Sequence, residues 1–328
     1  MSACRSWRRL EMRKGVKRFL IIFSIVIVIL LLLAVGGSYY IGLQVFEGST
    51  QLVTPEDTNE VKDSFWTTMN MDPEKFKASY VIESISETSA FDGHIIPGDY
   101  INAGDEHDKL VILIHGLGGN RYTNYPVAKY FVEKGYDVIT FDQRSSNENT
   151  AERTTYGYWE KYDVIDLIEY AERKYPGIRI GIWGTSFGGA TAIQAAAALD
   201  DQSRIDFMIL DCPLGNAEYM ISAELENMNI GIPTDYMLWW GNVVNKQKLG
   251  FSYEEANSII IAQKVNIPTL VINSRVDELT PYFMGKEIYD NISCDKKEIW
   301  TVDDSEHACI WEDHTDEYKL KMDEFILD

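Results

Sequence analysis

The pentapeptide Gly184–Gly188, with Ser186 at its centre, is the feature that most constrains how this chain can fold. An apolar run, Ile178–Trp183, precedes it and is typical of a buried strand, while the alanine-rich run Gly189–Ala198 after it is typical of a helix. A Gly-x-Ser-x-Gly sequence between a strand and a helix predicts a turn so tight that the serine hydroxyl is exposed. The alternative is a glycine-rich turn with an incidental serine, and the rest of the chain decides between the two.

The order of apolar and amphipathic segments predicts an α/β fold. Further strands are predicted at Tyr80–Ser86, Phe91–Asn102, Leu110–Ile114, Asp137–Phe141, Phe207–Leu210, Thr269–Ile272 and Glu298–Thr301. Further helices are predicted at Tyr125–Lys134, Gly157–Lys174 and Glu312–Ile326. The first two strands form a hairpin, and apolar strands alternating with helices predict a mainly parallel, eight-stranded sheet covered by helices on both faces. Reactive side chains in such sheets lie at the carboxyl ends of the strands.

Residues 213–266 separate two consecutive strands and are predicted to form an inserted helical cap over the strand ends. The cap is rich in large apolar side chains: Met220, Met228, Met237, Leu238, Trp239 and Trp240. Such residues either line a pocket for apolar groups or form the small core of the cap itself, and the sequence leaves both open. If they line a pocket, kcat/KM rises with each CH₂ added to an acyl substrate.

A basic segment, residues 1–18, precedes the apolar run Phe19–Val35. This run would span roughly 26 Å as a helix, close to the bilayer core of about 30 Å. We therefore predict a single-pass membrane anchor at 19–37, with the N-terminus cytoplasmic and the rest outside by the positive-inside rule. A cleaved signal peptide ending near Ala34–Gly36 is the alternative. Residues 38–79 are predicted to be a stalk that packs loosely on the domain.

The charge of the chain excludes some partners. The first 18 residues hold seven basic and one acidic side chain, whereas the remainder holds 23 basic and 50 acidic ones. Such an acidic surface repels nucleic acid and anionic lipid headgroups, so membrane attachment is expected through the N-terminal helix alone. Of the four cysteines, Cys4 is expected in the cytoplasm, so at most one disulfide could form outside; Cys294 with Cys309 is conceivable, and the sequence cannot establish it. No metal-ligand spacing is present, and we expect no cofactor.

From about Tyr80 to Asp328 the chain resembles the α/β-hydrolase superfamily, and within it the membrane-anchored bacterial hydrolases described as lysophospholipase-like or serine-aminopeptidase-like. The residues that carry this resemblance are His115–Gly119, Asp142–Arg144, Gly184–Gly188, Asn273–Pro281 and Ser305–Ala308. Each of these motifs is weak alone, and together they are specific. A loop of different sequence, Ser145–Thr150, replaces the Gly-His-Gly-x-Ser loop common in relatives, so substrate preference does not transfer from them.

A serine becomes nucleophilic at neutral pH only beside a base that a carboxylate orients. Ser186 is the predicted nucleophile, and the resemblance places the base after the final strand, at His307 rather than at His314. His94 and His107 are expected to be solvated, and His115 to be structural. Asp277 is the predicted acid because it follows a strand and keeps the chain order Ser, Asp, His; Asp211 is the alternative position. The resemblance assigns the oxyanion donors to the backbone N–H groups of Leu117 and Phe187.

These residues predict a serine hydrolase that cleaves carboxylic-ester-type bonds in a small-molecule or lipid-borne acyl substrate through an acyl-enzyme. One alternative is an exported peptidase or amidase, in which Glu224 and Glu226 of the cap would hold a substrate ammonium. The other is a membrane-tethered binding module without catalysis.

Overall fold

The computed structural model describes residues 2–68 and 71–327, and side chains from Val16 onward except that of Pro73. In these residues, eight strands form one sheet: β1 Val81–Thr88, β2 Ile95–Asn102, β3 Lys109–Ile114, β4 Asp137–Phe141, β5 Arg179–Thr185, β6 Ile205–Asp211, β7 Thr269–Ser274 and β8 Lys297–Val302. Each lies within a few residues of a strand predicted from apolar runs.

The strands are ordered β1-β2-β4-β3-β5-β6-β7-β8 across the sheet. The hairpin β1–β2 is antiparallel and adds to the edge of β4, while β4, β3, β5, β6, β7 and β8 are parallel. The predicted mainly parallel, eight-stranded α/β sheet is therefore confirmed. Because β5 is central, the turn after it opens at the middle of the carboxyl edge.

Helices cover both faces of the sheet. They are α1 Ser2–Thr50, α2 Pro55–Thr68, α3 Pro73–Ser79, α4 Tyr125–Glu133, α5 Glu160–Lys174, α6 Phe187–Ala198, α7 Ala217–Met228, α8 Thr234–Leu249, α9 Ser258–Ile261, α10 Tyr282–Asn291, α11 Ile310–Asp313 and α12 Thr315–Leu327. Alternate side chains of β3 divide between two cores: Ile112 packs with α5 and α6, and Val111 with α4 and α12. The predicted closing helix is interrupted at His314, which ends α11.

Helix α1 has two parts of different environment. Part of it is long and apolar enough to cross a membrane by length and composition, which fits an anchor or a signal sequence. Side chains from Val16 to Val35 are exposed on all sides, whereas Ser38, Val45 and Phe46 are buried. The same helix thus continues without a break from the apolar run into the globular domain.

The segment after α1 packs more closely than the expected stalk. Thr58 of α2 and Phe76 of α3 are buried, and the Trp66 indole N–H donates to the carbonyl of Tyr122 at 2.9 Å. The end of α1 is also fixed, because Arg153 donates to Thr50 Oγ1 at 2.7 Å and to a Glu47 carboxylate oxygen at 2.9 Å. The polar composition of this segment concealed an apolar face that the domain covers.

The cap comprises α7, α8, α9 and two 3₁₀ turns, and its apolar side chains form a core shared with residues of the sheet domain. Leu214, Ile221, Met237 and Phe251 are buried in it. Val45 of α1 completes this core, so the N-terminal helix is part of the cap. Cys212, Cys294 and Cys309 are free thiols in the described residues.

Candidate active site

Ser186 lies on a strained turn between β5 and α6. Its φ is 53° and its ψ −116°, a conformation that non-glycine residues rarely adopt. A Cβ on Gly184 would lie 2.5 Å from the carbonyl oxygen of Gly188, and a Cβ on Gly188 would overlap the carbonyl oxygen of Ile114. Both flanking glycines are therefore needed for the close approach of strand, turn and helix.

Three side chains from different strand ends meet beside this turn. His307 Nε2 lies 2.8 Å from Ser186 Oγ, and His307 Nδ1 lies 2.8 Å from Asp277 Oδ2. Ser186 follows β5, Asp277 follows β7 and His307 follows β8. The hydroxyl, imidazole and carboxylate thus form one continuous hydrogen-bonded chain, with Ser186 beside an open cavity.

Asp277 is buried and held as a carboxylate by the loop that precedes α10. Its Oδ1 accepts the backbone N–H groups of Leu279 at 2.9 Å and Thr280 at 2.8 Å. Burial raises the pKa of Asp277, but the hydrogen bond and charge of His307 and the hydrogen bonds from Thr280 outweigh it, so the pKa lies below the ordinary value. An ionised Asp277 favours the tautomer in which His307 carries its proton on Nδ1.

Thr280 is a residue of this cluster that sequence reasoning did not single out. Its Oγ1 lies 2.8 Å from Asp277 Oδ2, 3.1 Å from His307 Nδ1 and 3.0 Å from the carbonyl oxygen of Cys212. The hydroxyl can therefore orient both the acid and the base. Its place three residues after Asp277 and just before Pro281 was the available signal.

Asp211, the alternative acid position, lies in the wall of the same cavity but is not hydrogen bonded to His307 in the described contacts. It is buried, and its Oδ1 has no partner among the described side chains. Burial raises the pKa of Asp211 to about 7, against the opposing effects of Tyr318 and the charge of His307. Asp277, and not Asp211, is in position to orient the imidazole.

The other histidines have separate partners. His314 Nε2 lies 2.8 Å from exposed Asp304. The expectation that His94 and His107 are solvated is wrong, because His94 pairs with Asp92 and Asp163 and His107 Nδ1 lies 2.7 Å from buried Asp137. Both side chains contact carboxylates that the tertiary fold buries, Asp163 and Asp137, which local polarity could not reveal.

The loop after β3 brings a second backbone segment to Ser186. His115 Nε2 accepts the N–H of Gln143 at 2.9 Å, and its Nδ1 lies 2.7 Å from the carbonyl oxygen of Gly116. Burial lowers the pKa of His115 to about 4, so the ring is neutral and holds the loop in place. Leu117 of this loop lines the cavity, and Phe187 is the first residue of α6, where a helix has free N–H groups.

The loop Ser145–Thr150, whose sequence departs from the expected family motif, joins the sheet domain to α2. Asn147 Nδ2 donates to Asp142 at 2.9 Å, and the backbone N–H of Asn147 donates to Thr58 Oγ1 at 3.1 Å. From the other side, Asn120 donates to the carbonyl of Thr58 at 3.1 Å. The loop Ser145–Thr150 and the loop after β3 therefore both form hydrogen bonds to the same turn of α2.

A cavity of about 170 Å³ opens beside Ser186 and His307. Its apolar wall is formed by Val61 and Phe65 of α2 together with Leu117, Val127, Trp183, Ala308 and Trp311. None of its lining residues, within the described part of the chain, comes from the cap at 213–266. Of the two interpretations left open for the methionines and tryptophans of the cap, pocket lining is therefore not observed. Glu224 and Glu226 are likewise exposed on α7, away from this cavity.

Cys212, Asp277 and His307 place possible metal-ligand atoms within 4.8 Å of one another. Burial, followed by the charges of Asp211 and Asp277, raises the pKa of the Cys212 thiol well above its ordinary value. The thiolate that a metal would require is therefore disfavoured. The hydrogen bond between the other two groups suits proton transfer better than metal binding.

Comparison with known proteins identifies the fold. A family model described as the alpha/beta hydrolase fold matches residues 109–248. The esterase Pf2001 of Pyrococcus furiosus superposes with a TM-score of 0.63 at 23% identity, covering 78% of this chain and 95% of that one. The chain has the α/β-hydrolase fold. The expected α/β-hydrolase fold is confirmed, and the proteins that share it support a hydrolase activity.

Two relatives cover more of the chain than the family model does. The uncharacterized protein YqkD of Bacillus subtilis is 25% identical over 252 residues, which cover 76% of this chain and 79% of that protein. The lysophosphatidylserine lipase ABHD12 of Danio rerio is 22% identical over 184 residues, which cover 55% of this chain and 46% of that protein. The lining of the cavity by Val61 and Phe65 is what sequence reasoning missed, because both residues precede the recognisable domain.

Proposed function

We propose that this α/β-hydrolase is a serine hydrolase that cleaves carboxylic-ester-type bonds through an acyl-enzyme. The observation that carries the proposal is the continuous chain from Ser186 Oγ through His307 to Asp277, with both hydrogen bonds at 2.8 Å. A serine, a neutral imidazole and a carboxylate in this order are what acyl transfer requires.

In the proposed reaction, Ser186 Oγ attacks the ester carbonyl carbon and passes its proton to His307 Nε2. Asp277 stabilises the imidazolium that forms. The backbone N–H groups of Leu117 and Phe187 donate to the oxyanion of the tetrahedral intermediate. The alcohol then leaves with the proton from His307, and a water molecule, deprotonated by His307, hydrolyses the acyl-Ser186 ester to release the acid.

The cavity supports a short acyl group as the preferred substrate. Its volume is about 170 Å³, and a cavity of roughly 150 Å³ accepts a molecule the size of benzene. Each buried CH₂ contributes about 0.8 kcal/mol, so kcat/KM should rise roughly fourfold per CH₂ until about six heavy atoms fill the cavity. Glu224 and Glu226 do not line this cavity, which favours the ester over the aminopeptidase alternative.

We further propose that residues 19–37 anchor the enzyme in the membrane, with 1–18 cytoplasmic and the domain from Tyr80 to Asp328 outside. The apolar run and its basic flank support this placement. The full chain should resist alkaline carbonate extraction and keep its N-terminus, and protease added outside spheroplasts should digest the domain. Release of a shortened chain into the medium would instead identify a cleaved signal peptide.

The catalytic proposal is tested on the full chain in detergent with p-nitrophenyl esters and a fluorophosphonate probe. Ser186→Ala should abolish covalent labelling and lower kcat/KM by about 10⁴-fold or more. Ser64→Ala, an exposed serine of α2, is the matched control and should retain both. Labelling that persists in Ser186→Ala would refute the nucleophile, and a folded native chain that is never labelled would favour the binding module.

A further inference from the structure

Helix α1 passes from exposed to packed surroundings within a few residues. Gly36 and Gly37 are exposed, Ser38 is buried, and from there the helix packs against α8 of the cap. Ser38 lies three residues beyond Val35, the last residue of the apolar run, which is about 5 Å along a helix. Whatever contacts Ser38 is therefore held close to the end of the membrane-spanning stretch.

Helix α8 crosses α1 steeply just beyond this point. The Ser38 hydroxyl contacts the Tyr236 hydroxyl, and Tyr39 Oη donates to Gln247 Oε1 at 3.1 Å. Tyr236 and Gln247 are eleven residues apart, or about 16 Å along α8. Two adjacent residues of α1 can reach both only if α8 lies across α1 rather than beside it.

Close packing fixes the crossing point. A Cβ on Gly42 would lie 2.5 Å from the carbonyl oxygen of Trp240, and a Cβ on Gly241 would overlap Val45. Gly42 is seven residues beyond Val35, about 10 Å along the helix. A helix with side chains has a radius of about 5–6 Å, so the near side of α8 lies about 5 Å from the end of the apolar run, at headgroup depth.

The face of α8 that points back toward Ser38 and Tyr39 is a single stripe. It contains residues at helical spacing: Tyr236, Trp239, Trp240, Val243 and Gln247. The opposite side of α8, including Leu238 and Asn245, is buried. Trp239 is 59% exposed and Tyr236 40% exposed, and Tyr40 on α1 is 62% exposed. Met228 and Ile230, between α7 and α8, are exposed apolar neighbours in sequence.

From these contacts we propose that this stripe of α8, hereafter the interfacial face, docks on the surface of a lipid bilayer. The inference rests on the proposed anchor at 19–37. Tryptophan and tyrosine are enriched at membrane–water interfaces because their apolar rings carry one polar group. The acidic surface of the domain gives no electrostatic attraction to anionic lipid, so the contact is made by aromatic rings on zwitterionic headgroups.

Docking at both α1 and α8 gives the domain one orientation on the membrane. A single helix would let the domain tilt relative to the bilayer plane, whereas a second contact along α8, which lies across α1, restricts that tilt. The interfacial face is outside the active-site cavity, so its role is attachment and not chemistry.

The test uses the full chain reconstituted in dioleoylphosphatidylcholine vesicles and a nitroxide on a single introduced cysteine. Cys4, Cys294 and Cys309 are changed to serine, and buried Cys212 is kept. The sites are Trp239→Cys on the interfacial face, Ile27→Cys in the apolar run and Leu320→Cys at an exposed position of α12. Collision rates with oxygen, which concentrates in lipid, and with a water-soluble nickel chelate report the surroundings.

The oxygen-to-nickel ratio at 239 should exceed that at 320 by at least threefold and approach that at 27. A water-like ratio at 239 with a lipid-like ratio at 27 overturns the docking inference and leaves the anchor standing. Water-like ratios at both sites overturn the anchor, and the inference with it. Neither result bears on ester hydrolysis.

A second measurement keeps the native tryptophan in place. Lipid brominated near the headgroup should quench part of the emission of the full chain, and Trp239→Phe should lose that quenched part. Trp300→Phe, at a tryptophan that packs on His314 and Tyr318, is the matched control and should keep it. Equal quenching of the native chain and Trp239→Phe would overturn the inference.

Discussion

Helices α2 and α8 both lie outside the sheet, yet they use their apolar side chains for different purposes. Val61 and Phe65 of α2 line the cavity beside Ser186. Met237 and Leu238 of α8 are buried in the cap, and Val45 of α1 packs directly against Gly241 of α8. The inserted cap thus packs against helix α1, whereas α2 forms part of the wall of the cavity.

This difference shows that an insertion over the strand ends is not by itself a substrate cap. The loops after β3 and β4 decided which element reached the cavity, because Asn120 and Asn147 both bind Thr58. With α2 held there, the cap is free to pack on α1. The two helices should therefore respond differently to substitution: α2 through substrate preference and α8 through stability.

The largest effect on activity is expected at Asp277, which lies on neither of these two helices. Asp277→Asn keeps the shape of the side chain but removes the charge that orients His307, so kcat should fall by about 10⁴-fold. Measurement of ester hydrolysis by the full chain, with Asp304→Asn as an exposed control, checks this. A fall of less than tenfold would assign the orienting role to another acid, and Asp211 would be the next to test.

Asp211, in the wall of the cavity, makes the stability of the fold depend on pH. Burial raises the pKa of Asp211 from an unfolded value near 4 to about 7. Between about pH 4 and pH 7 the folded state holds a proton that the unfolded state has lost, so Asp211 destabilises the fold increasingly as pH rises through this window. Three pKa units correspond to at most about 4 kcal/mol.

Asp211→Asn should therefore raise stability at pH 8 and change it little at pH 4. Thermal unfolding of the full chain in detergent at both values measures the difference. Equal melting shifts at the two pH values would mean that Asp211 is not desolvated in the folded state.

The close packing of α8 on α1 is tested by replacing each of two glycines with alanine. Gly241→Ala should lower stability by about 1–3 kcal/mol because the methyl group overlaps Val45. Gly48→Ala, where the methyl group meets nothing within 4 Å, should raise stability by up to about 1 kcal/mol. Thermal unfolding checks both, and Gly241→Ala should leave the acyl-length profile unchanged. Equal shifts would mean that α1 and α8 do not pack closely.

The smallest effect is expected on the α2 side. Phe65→Ala enlarges the cavity, so kcat/KM for octanoyl relative to butyryl esters should rise about tenfold, or 1.4 kcal/mol. Trp239→Ala on α8 is the matched control and should leave this ratio unchanged. If Trp239→Ala shifts the ratio and Phe65→Ala does not, the assigned roles of the two helices are reversed.

Sequence alone determined the order of strands and helices and the candidate triad of Ser186, Asp277 and His307. These depend on local properties: hydrophobic period along a segment, glycine spacing around a tight turn, and the rule that strand ends gather at one edge of a parallel sheet. Local spacing therefore predicts both the fold class and the residues that meet at the carboxyl edge of the sheet.

Only the tertiary structure decided what the apolar side chains outside the sheet do. Val61 lines a cavity with Trp311, and Val45 completes the core of a cap that begins more than 150 residues later. An apolar residue has the same pattern in sequence whether it lines a cavity, fills a core or faces lipid. The choice among these depends on which distant surface it meets, and long-range packing is what sets that.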